Sequence, residues 1–338
     1  MRQMWLIFGG AFAIYVVLAV IMGVLPGFAL SSIEPTPGLE PLTPLEAEGR
    51  AVYVANGCSY CHTQQVRPLP QDRVWGRPSA PGDFAYQTPE LLGSQRTGPD
   101  LANVGARQPS ATWHYIHLYN PRAVVPESIM PPYAWLFETV DQAPANVPAV
   151  PLPAPWAPEH GVVVPTREGE ALVAYLLSLK QPPLPGASEA GAGGDASHAA
   201  PVGDGSATRT EEQPSEAEET AGDDYRYDPA RGESLYVAYC AACHQPGGQG
   251  LTGAFPPLKG NAAVNDPDAA RHIRVILDGL QGEEIDGVFY GSPMPAFRTS
   301  LDDRDIADIV NHERRSWGNA GAFVTAADVA AHRAAAGE

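Results

Sequence analysis

Two short segments, residues 58–62 and 240–244, share the spacing Cys-x-x-Cys-His. Two thiols and an adjacent imidazole at this spacing form the c-type haem attachment pattern, in which the thiols add across the haem vinyl groups and the imidazole binds iron. A redox dithiol or half of a zinc site uses similar pairs. Two copies, with no further cysteine, favour haem over both alternatives. The motif residues are Cys58, Cys61, His62, Cys240, Cys243 and His244.

Methionine is scarce enough to suggest the second axial ligand of each haem. Three of the five methionines, Met1, Met4 and Met22, lie in the apolar N-terminal segment. The other two, Met130 and Met294, each follow one motif and each precede a proline. Met/His ligation raises the haem potential and suits electron transfer. The alternative is that each methionine fills space in a core, but one methionine per motif favours Met130 and Met294 as ligands.

Similar elements flank both motifs and are expected to position them. Thr43–Glu46 is a capping box with proline at the first helical position, which predicts a helix running into the first motif. Apolar periodicity predicts a helix over about 167–180 and another over about 301–317, the latter opened by Ser300 and Asp303. Each copy therefore predicts a helix, the motif, loops, a methionine and a second helix.

A proline-containing turn lies between each motif and its methionine, Gly98–Leu101 in the first copy and Phe255–Leu258 in the second. Such a turn can present a carbonyl oxygen to one nitrogen of the ligand imidazole. A carbonyl in that position orients a histidine ligand. The sequence therefore predicts a carbonyl–histidine contact in each copy.

The N-terminal segment is apolar from residue 4 to about 30, and no charged residue falls between Arg2 and Glu34. About 20 apolar residues suffice to span a membrane. Arg2 before the run and acids after it place the N-terminus in the cytoplasm. The alternative is a signal peptide cleaved near Gly27–Ala29, but the run exceeds a 7–15-residue signal core. We expect a single-pass anchor in the bacterial inner membrane, with the remaining chain on the periplasmic side.

Length, charge and composition indicate how the chain is divided into domains. Its 338 residues suggest about two domains, and a net charge of −18 disfavours nucleic-acid binding because the chain would repel phosphates. Residues 181–227 are rich in Pro, Gly, Ala, Ser and acids, which predicts a disordered linker that lets the second domain swing. The predicted organisation is 1–30 transmembrane anchor, 40–180 first domain, 181–227 linker, 228–320 second domain and 321–338 tail.

Both copies resemble class I cytochrome c domains, which implies a mainly α fold with an N-terminal transmembrane helix and two such domains. The first copy is also similar to the membrane-anchored mono-haem subunit of cbb3-type cytochrome c oxidases. Four blocks in the right order carry this resemblance: Gly49–Pro68, Gly93–Leu101, Trp113–Arg122 and Val125–Pro131.

That resemblance implies His62 and Met130 as axial ligands, and docking on a polytopic catalytic subunit that holds b-type haems and copper. It also suggests haem-propionate or subunit-interface roles for Arg67, Arg96 and Arg122, for which the alternative is solvated surface arginine.

The chain departs from that family by carrying a second cytochrome domain, since the usual subunit has one haem and a separate subunit carries two more. The second copy is similar to cytochrome domains of many oxidases and membrane dehydrogenases through Tyr290–Phe297, Ile306–Val310 and Ser316–Asn319. This similarity implies fold and ligation but no particular partner. The fusion is expected to replace part of the electron-entry role of the missing subunit.

Together these observations favour an electron-transfer subunit with two covalently bound haem c groups. A periplasmic donor, either a basic cytochrome or a quinol-oxidising complex, would deliver electrons for the b-type haems of the catalytic subunit, so this chain would not itself reduce oxygen. The alternatives are a cytochrome c subunit of a nitric oxide reductase or membrane dehydrogenase, and a di-haem cytochrome c peroxidase. A peroxidase needs an open iron site, which two candidate methionine ligands argue against.

Overall fold

The computed structural model describes residues 2–93, 95–184 and 225–335. Helices dominate this part of the chain, and its strands form two small antiparallel sheets of two strands each. An exposed helical segment comes first, and two packed domains follow it. The predicted mainly α fold is confirmed. Most of the predicted linker, residues 185–224, lies outside the described residues.

The N-terminal segment is one continuous helical rod. It consists of α1 (Arg2–Ala19), a π-helical turn (Val20–Val24) and α2 (Leu25–Ser31). Residues Gln3–Phe28 have a mean hydropathy of 2.5, and none of this span is buried against the protein. At 1.5 Å per residue it is about 39 Å long, which exceeds the ~30 Å hydrocarbon core. Its length and composition therefore suffice to cross a membrane.

The helix before the first motif, α3 (Pro44–Ala55), begins at the predicted capping box. The backbone N–H of Thr43 donates to Glu46 Oε2 at 2.6 Å, and the Glu46 N–H donates to the Thr43 hydroxyl at 3.4 Å. The chain then turns through Gly57 at φ 69°, a left-handed conformation that glycine adopts without strain, into a 3₁₀ turn over Cys58–Tyr60. The capping residues thus deliver the motif from the end of a fixed helix.

The other principal helix of the first domain, α6 (Arg167–Ser178), crosses α3 at Gly49. A Cβ atom at Gly49 would lie 1.8 Å from the Ala171 carbonyl oxygen, so only glycine permits this approach. The predicted helix over 167–180 is confirmed. The remaining elements of the domain are α4 (Val104–Arg107), α5 (Ala111–Tyr119), β1 (Phe137–Val140) and β2 (Val162–Pro165), with 3₁₀ turns at Pro70–Trp75, Pro81–Phe84, Pro121–Ala123 and Ala134–Leu136.

The two strands β1 and β2 pair antiparallel, with Phe137 opposite Pro165 and Val140 opposite Val162. This sheet packs on the start of α6, where the Thr166 hydroxyl caps the helix by accepting from the Gly169 N–H. It therefore fixes the loop between Met130 and α6 against the domain core.

The second domain repeats the helix crossing, with α7 (Pro229–Tyr239) packed on α11 (Asp303–Arg315). A Cβ atom at Gly232 would lie 2.7 Å from the Asp308 carbonyl oxygen. The other elements are α8 (Ala241–His244), α9 (Ala262–Asn265), α10 (Ala270–Asp278), β3 (Glu283–Ile285), β4 (Val288–Tyr290) and α12 (Ala326–Ala335). Strands β3 and β4 pair antiparallel, with Glu283 opposite Tyr290.

The predicted start of α11 was wrong by two residues. Asp302 is the N-cap, because its carboxylate accepts from the Asp305 N–H at 2.7 Å. The Ser300 hydroxyl instead donates to the Phe297 carbonyl in the preceding turn. A carboxylate at the N-cap also interacts favourably with the helix dipole, which explains why the aspartate is used.

The C-terminal tail contains α12, which packs on α10 and α11. Val329 is fully buried and belongs, with Val324, to the apolar core of the second domain. The packed unit therefore extends beyond residue 320.

Candidate haem sites

The second motif lies at the wall of a cavity of about 410 Å³. Both predicted attachment cysteines and both predicted axial ligands of the second copy line this cavity, although Met294 is 50 residues from His244 in sequence. Its position follows from α10 and the β3–β4 sheet, since Met294 pairs with Leu280 through backbone hydrogen bonds in both directions. The lining residues used below are Arg107, Cys240, Cys243, His244, His272 and Met294.

His244 is held in one orientation at the end of α8. Its Nδ1 donates to the Pro256 carbonyl at 2.9 Å, which leaves Nε2 as the nitrogen with a free lone pair. Burial lowers the pKa of His244, so the ring is kept in the neutral form that can bind a metal. The predicted carbonyl contact from the Phe255–Leu258 turn is confirmed.

His62 in the first domain has the same arrangement. Its Nδ1 donates to the Pro99 carbonyl at 2.8 Å, which confirms the second predicted carbonyl contact. The preceding Gly98 lies directly against the ring, because a Cβ atom there would be 2.3 Å from His62 Cε1. Burial lowers the pKa of His62 as well. Glycine at position 98 is thus needed for the turn to pass across the imidazole.

The remaining first-site residues surround the same core. Cys58 and Met130 both pack against the apolar cluster of the first domain, and burial raises the pKa of the Cys58 thiol to about 11. Cys61, in contrast, is exposed. Tyr133, three residues after Met130, is buried and interacts electrostatically with both thiols. This places the Met130 loop beside the first motif.

Two of the three candidate arginines pair within the first domain. Arg96 contacts Asp72 at 2.6 Å, and the Arg67 guanidinium donates two hydrogen bonds to the same carboxylate, at 2.8 and 3.0 Å, beside a third from the Arg67 backbone N–H at 3.0 Å. Burial alone would raise the pKa of Asp72, but hydrogen bonds from Arg67 and Arg96 outweigh it and hold that pKa well below its usual range. These arginines therefore stabilise the loop after the first motif, while Arg122 has no ion pair with any described residue.

Several polar residues at these sites were not assigned to them from the sequence, although His272 was expected to be a core or surface histidine. Arg107, on α4 of the first domain, lines the cavity of the second domain, and burial lowers its pKa to about 10. His272 and Glu313 form a buried pair, with Nε2 and Oε2 2.6 Å apart. The sequence does contain a signal for this pair: α10 and α11 are strongly amphipathic, and His272 and Glu313 each lie on the apolar face of their helix.

The second site fits a covalently bound haem, because two thiols, an imidazole with a free nitrogen and a thioether line one cavity. The first motif supplies two thiols and an imidazole with a free nitrogen, and Met130 packs against the same apolar cluster as Cys58. Buried polar atoms without a partner among the described residues adjoin both sites: Tyr53 Oη, His117 Nδ1 and His272 Nδ1. Across residues 2–93, 95–184 and 225–335, no three His, Cys, Asp or Glu side chains gather as a metal-ion site.

Two known families match the chain, one in each domain. Residues 1–150 match the family described as cytochrome c oxidase, mono-heme subunit/FixO. Residues 228–312 match the family described as cytochrome c oxidase, cbb3-type, subunit III. The two matches cover the anchor helix, the first motif with Met130, and the second motif with Met294.

Individual relatives are cytochromes and cytochrome subunits. Cytochrome c-552 of Thermus thermophilus is 44% identical over 95 residues, which are 27% of this chain and 71% of that protein. The gluconate 2-dehydrogenase cytochrome c subunit of Pantoea cypripedii is 40% identical over 108 residues, 31% of this chain and 24% of that protein. The alcohol dehydrogenase (quinone) cytochrome c subunit of Gluconobacter oxydans is 35% identical over 99 residues, 29% of this chain and 21% of that protein.

The chain therefore spans about a quarter or less of these dehydrogenase subunits, and most of one small cytochrome. What these named matches share is a cytochrome c domain, which implies covalently bound haem c and a role in electron transport. The chain belongs to the cytochrome c proteins: its first 150 residues match the mono-heme cytochrome c oxidase subunit family, and residues 228–312 behind them match the cbb3-type subunit III family.

Proposed function

We propose that the chain is the di-haem electron-transfer subunit of a cbb3-type haem-copper oxidase. The observation that carries this proposal is the pairing of families: one chain joins a mono-haem oxidase subunit to a cytochrome domain of subunit III of the same oxidase class. A haem c at each motif supplies one-electron exchange. The proposed axial ligands are His62 and Met130 in the first domain and His244 and Met294 in the second.

Contacts among the described residues fix the orientation of the proposed histidine ligands before iron is bound. The Pro99 and Pro256 carbonyls fix the two imidazole rings, so Nε2 of each histidine needs no reorientation to bind iron. Proline after each methionine stiffens the loop that carries the thioether. Fixed ligands keep the geometry the same in both oxidation states, which favours fast electron exchange.

The order of the domains along the chain suggests the direction of electron flow. The first domain follows the anchor helix directly and matches the mono-heme oxidase subunit family, which supports a position next to the polytopic subunit with b-type haems and copper. The second domain then accepts electrons from a periplasmic donor, such as a basic cytochrome or a quinol-oxidising complex. The anchor would lie in the inner membrane of a bacterium, with both domains on the periplasmic side.

One second candidate has an observation in its favour. Relatives include cytochrome c subunits of gluconate and alcohol dehydrogenases, which makes a dehydrogenase complex the alternative partner. Those matches cover about 30% of this chain, whereas the two oxidase families together cover the anchor and both motifs.

Purification of the full chain from membranes tests the proposal. We expect a polytopic subunit with b-type haem to co-purify, and the complex to consume oxygen when a reduced protein donor is supplied. Co-purification of a sugar or alcohol dehydrogenase, or turnover of nitric oxide or peroxide in place of oxygen, would contradict it.

Met294→His tests the proposed entry site in the same complex. It should slow oxygen consumption driven by the protein donor, while a small artificial donor that reaches the first domain still supports it. Phe289→His is the matched control, because Phe289 is an exposed residue on the neighbouring strand β4. Equal loss with both donors would remove the entry role of the second domain.

A further inference from the structure

A small surface of the first domain contacts the haem-attachment turn of the second domain. The indole Nε1 of Trp113 donates to the Ala242 carbonyl at 2.9 Å, inside the second motif. The side-chain amide of Gln108 lies 3.6 Å from the Cys243 sulfur through both its nitrogen and its oxygen. Because the Cys243 sulfur becomes part of the haem edge on attachment, these first-domain residues lie at that edge.

Apolar packing continues across the same contact. Ala254 and Phe255 of the second domain are 1% and 4% exposed, and both belong to the apolar core of the first domain. Leu251 and Cys243 pack against that core as well. Arg107 completes the contact by lining the cavity that holds His244 and Met294. The second site is therefore closed on one side by residues of the first domain.

The contact leads from the second motif into the first domain. Trp113 stacks on His117, with ring centroids 4.5 Å apart and planes inclined by 12°. Both rings lie on α5, so the bond to the Ala242 carbonyl is made by a side chain that packs within the first domain. Trp113 and His117 thus extend the contact at Ala242 into α5.

We propose that Arg107, Gln108 and Trp113 form a docking surface for the attachment turn of the second domain, and that the docked state is the one in which electrons cross between the sites. Trp113 and His117 are positioning residues in this arrangement. The electron step rests on the proposed function: one electron leaves the second site, reduced beforehand by the protein donor, and arrives at the first, with no bond formed or broken. The docking surface itself stands without that assumption.

Because the second domain is joined covalently to the first, a small contact is sufficient to hold the two domains together. The two domains are parts of one chain, so docking is intramolecular, which raises the effective concentration of one domain near the other. A contact too weak to join separate proteins is then well populated, yet it opens readily. The swing of the second domain stays a prediction, and the docked arrangement is one position that such a domain would visit.

Hydrogen exchange of the haem-loaded full chain tests docking without any turnover. Trp113→Phe keeps an aromatic ring on His117 but removes the bond to Ala242, and should raise amide exchange in residues 241–255 about fivefold, the equilibrium effect of one neutral hydrogen bond. Trp135→Phe is the matched control, because its indole bonds Asn56 within the first domain. Leu251→Ala, which alters the second-domain side of the contact, should raise amide exchange in α5 of the first domain.

Unchanged exchange in both Trp113→Phe and Leu251→Ala would overturn the docking surface. Exchange that rises equally in Trp135→Phe would show a general loosening of the first domain and would overturn it as well.

Electron transfer between the sites is then measured in the same variants after rapid photoreduction of the second domain. Trp113→Leu, which loses both the hydrogen bond and the stacked ring, should slow the transfer at least about fivefold, while Trp135→Phe leaves it within about twofold. An unchanged rate in Trp113→Leu would overturn the electron-transfer role. If the exchange and electron-transfer results are as expected but no oxygen-reducing subunit co-purifies with the chain, only the proposed function is contradicted.

Discussion

In the first domain α3 crosses α6 at Gly49, and in the second α7 crosses α11 at Gly232. Both glycines lie against a carbonyl oxygen of the partner helix, at a closeness that no side chain tolerates. The charges around the crossings differ. The first carries an exposed pair between Arg167 and Glu48, whereas in the second Arg231 reaches the buried Asp308. Backbone approach is thus the shared requirement, and each domain uses its own side chains to secure it.

The two haem motifs also differ in what covers them. Cys61 of the first motif is exposed, whereas Cys240 of the second is buried and Cys243 is covered by Gln108. The first motif therefore keeps an exposed side, whereas the second motif has one side covered by the first domain.

The largest expected effect is on the reduction potentials, which test the two proposed methionine ligands separately. Met130→His and Met294→His should each lower the potential of their own site only, on the order of 0.1–0.3 V within the ~0.8 V range that axial ligands cover. Histidine stabilises ferric iron relative to methionine. Spectroelectrochemical titration of both haems measures the shifts, with Ile129→His as control because Ile129 is 75% exposed. Titrations identical to the parent would show that these methionines are not ligands.

Gly98→Ala should damage the first site alone. The new Cβ atom would meet the His62 ring at 2.3 Å, so the Pro99 carbonyl contact and the ring position must shift. We expect a loss of roughly 1–3 kcal/mol in unfolding free energy and a high-spin signal at the first haem, as overpacking of this kind implies. Unfolding and absorption spectra measure both effects.

Gly291→Ala in the second domain is the comparison, because its neighbour is the ring of Phe289, an exposed residue that can move. Equal damage by the two substitutions would contradict the role given to Gly98.

Acid should weaken the first domain through His114. This residue is buried, and burial lowers its pKa to about 4. Below its unfolded pKa of about 6.5 the unfolded chain binds a proton that the folded chain excludes, so stability falls as pH drops from about 6.5 to 4. His114→Gln should remove about 2–3 kcal/mol of this loss between pH 7 and pH 4.5.

Denaturant unfolding at the two pH values measures the difference for His114→Gln. The exposed His160, changed to glutamine, is the control. A pH dependence as steep as that of the parent would place the acid sensitivity elsewhere.

The smallest effect concerns the two helix crossings. Arg231→Ala leaves the buried Asp308 without its cation and should cost about 1–2 kcal/mol, allowing for the partial exposure of the arginine. Arg167→Ala removes an exposed pair and should leave stability unchanged. Thermal unfolding of both variants measures the contrast, and equal losses would show that both pairs contribute alike.

Local signals in the sequence were sufficient for the elements that carry the sites. The Thr43–Glu46 capping box located the start of α3, and the two proline turns predicted the carbonyl contacts of His62 and His244. These features depend on residues a few positions apart, whose chemistry is fixed by the backbone. The start of α11 was missed because Ser300 and Asp302 are both good N-caps, and only the packing of the preceding turn decides between them.

Longer-range features left no comparable signal. The pairing of Arg67 and Arg96 with Asp72 depends on how a loop folds back, and the contact between Trp113 and Ala242 joins residues 129 positions apart. Trp113 was part of a block that carried the family resemblance, but nothing in its spacing indicated a second domain as its neighbour. Helix α12 was missed because an alanine-rich segment shows little apolar periodicity.

The covering of Cys243 by Gln108 has a consequence for how the protein matures. Covalent attachment requires both thiols of a motif to reach the vinyl groups, but in the docked chain Cys243 is occupied on its outer side by Gln108. We therefore expect haem to be attached to the second motif before the domains close, while the exposed Cys61 leaves the first motif accessible to the attachment machinery at any stage. Pulse-labelled chains should acquire protease resistance at the interface only after the second haem is attached, and resistance gained earlier would contradict this order of biogenesis.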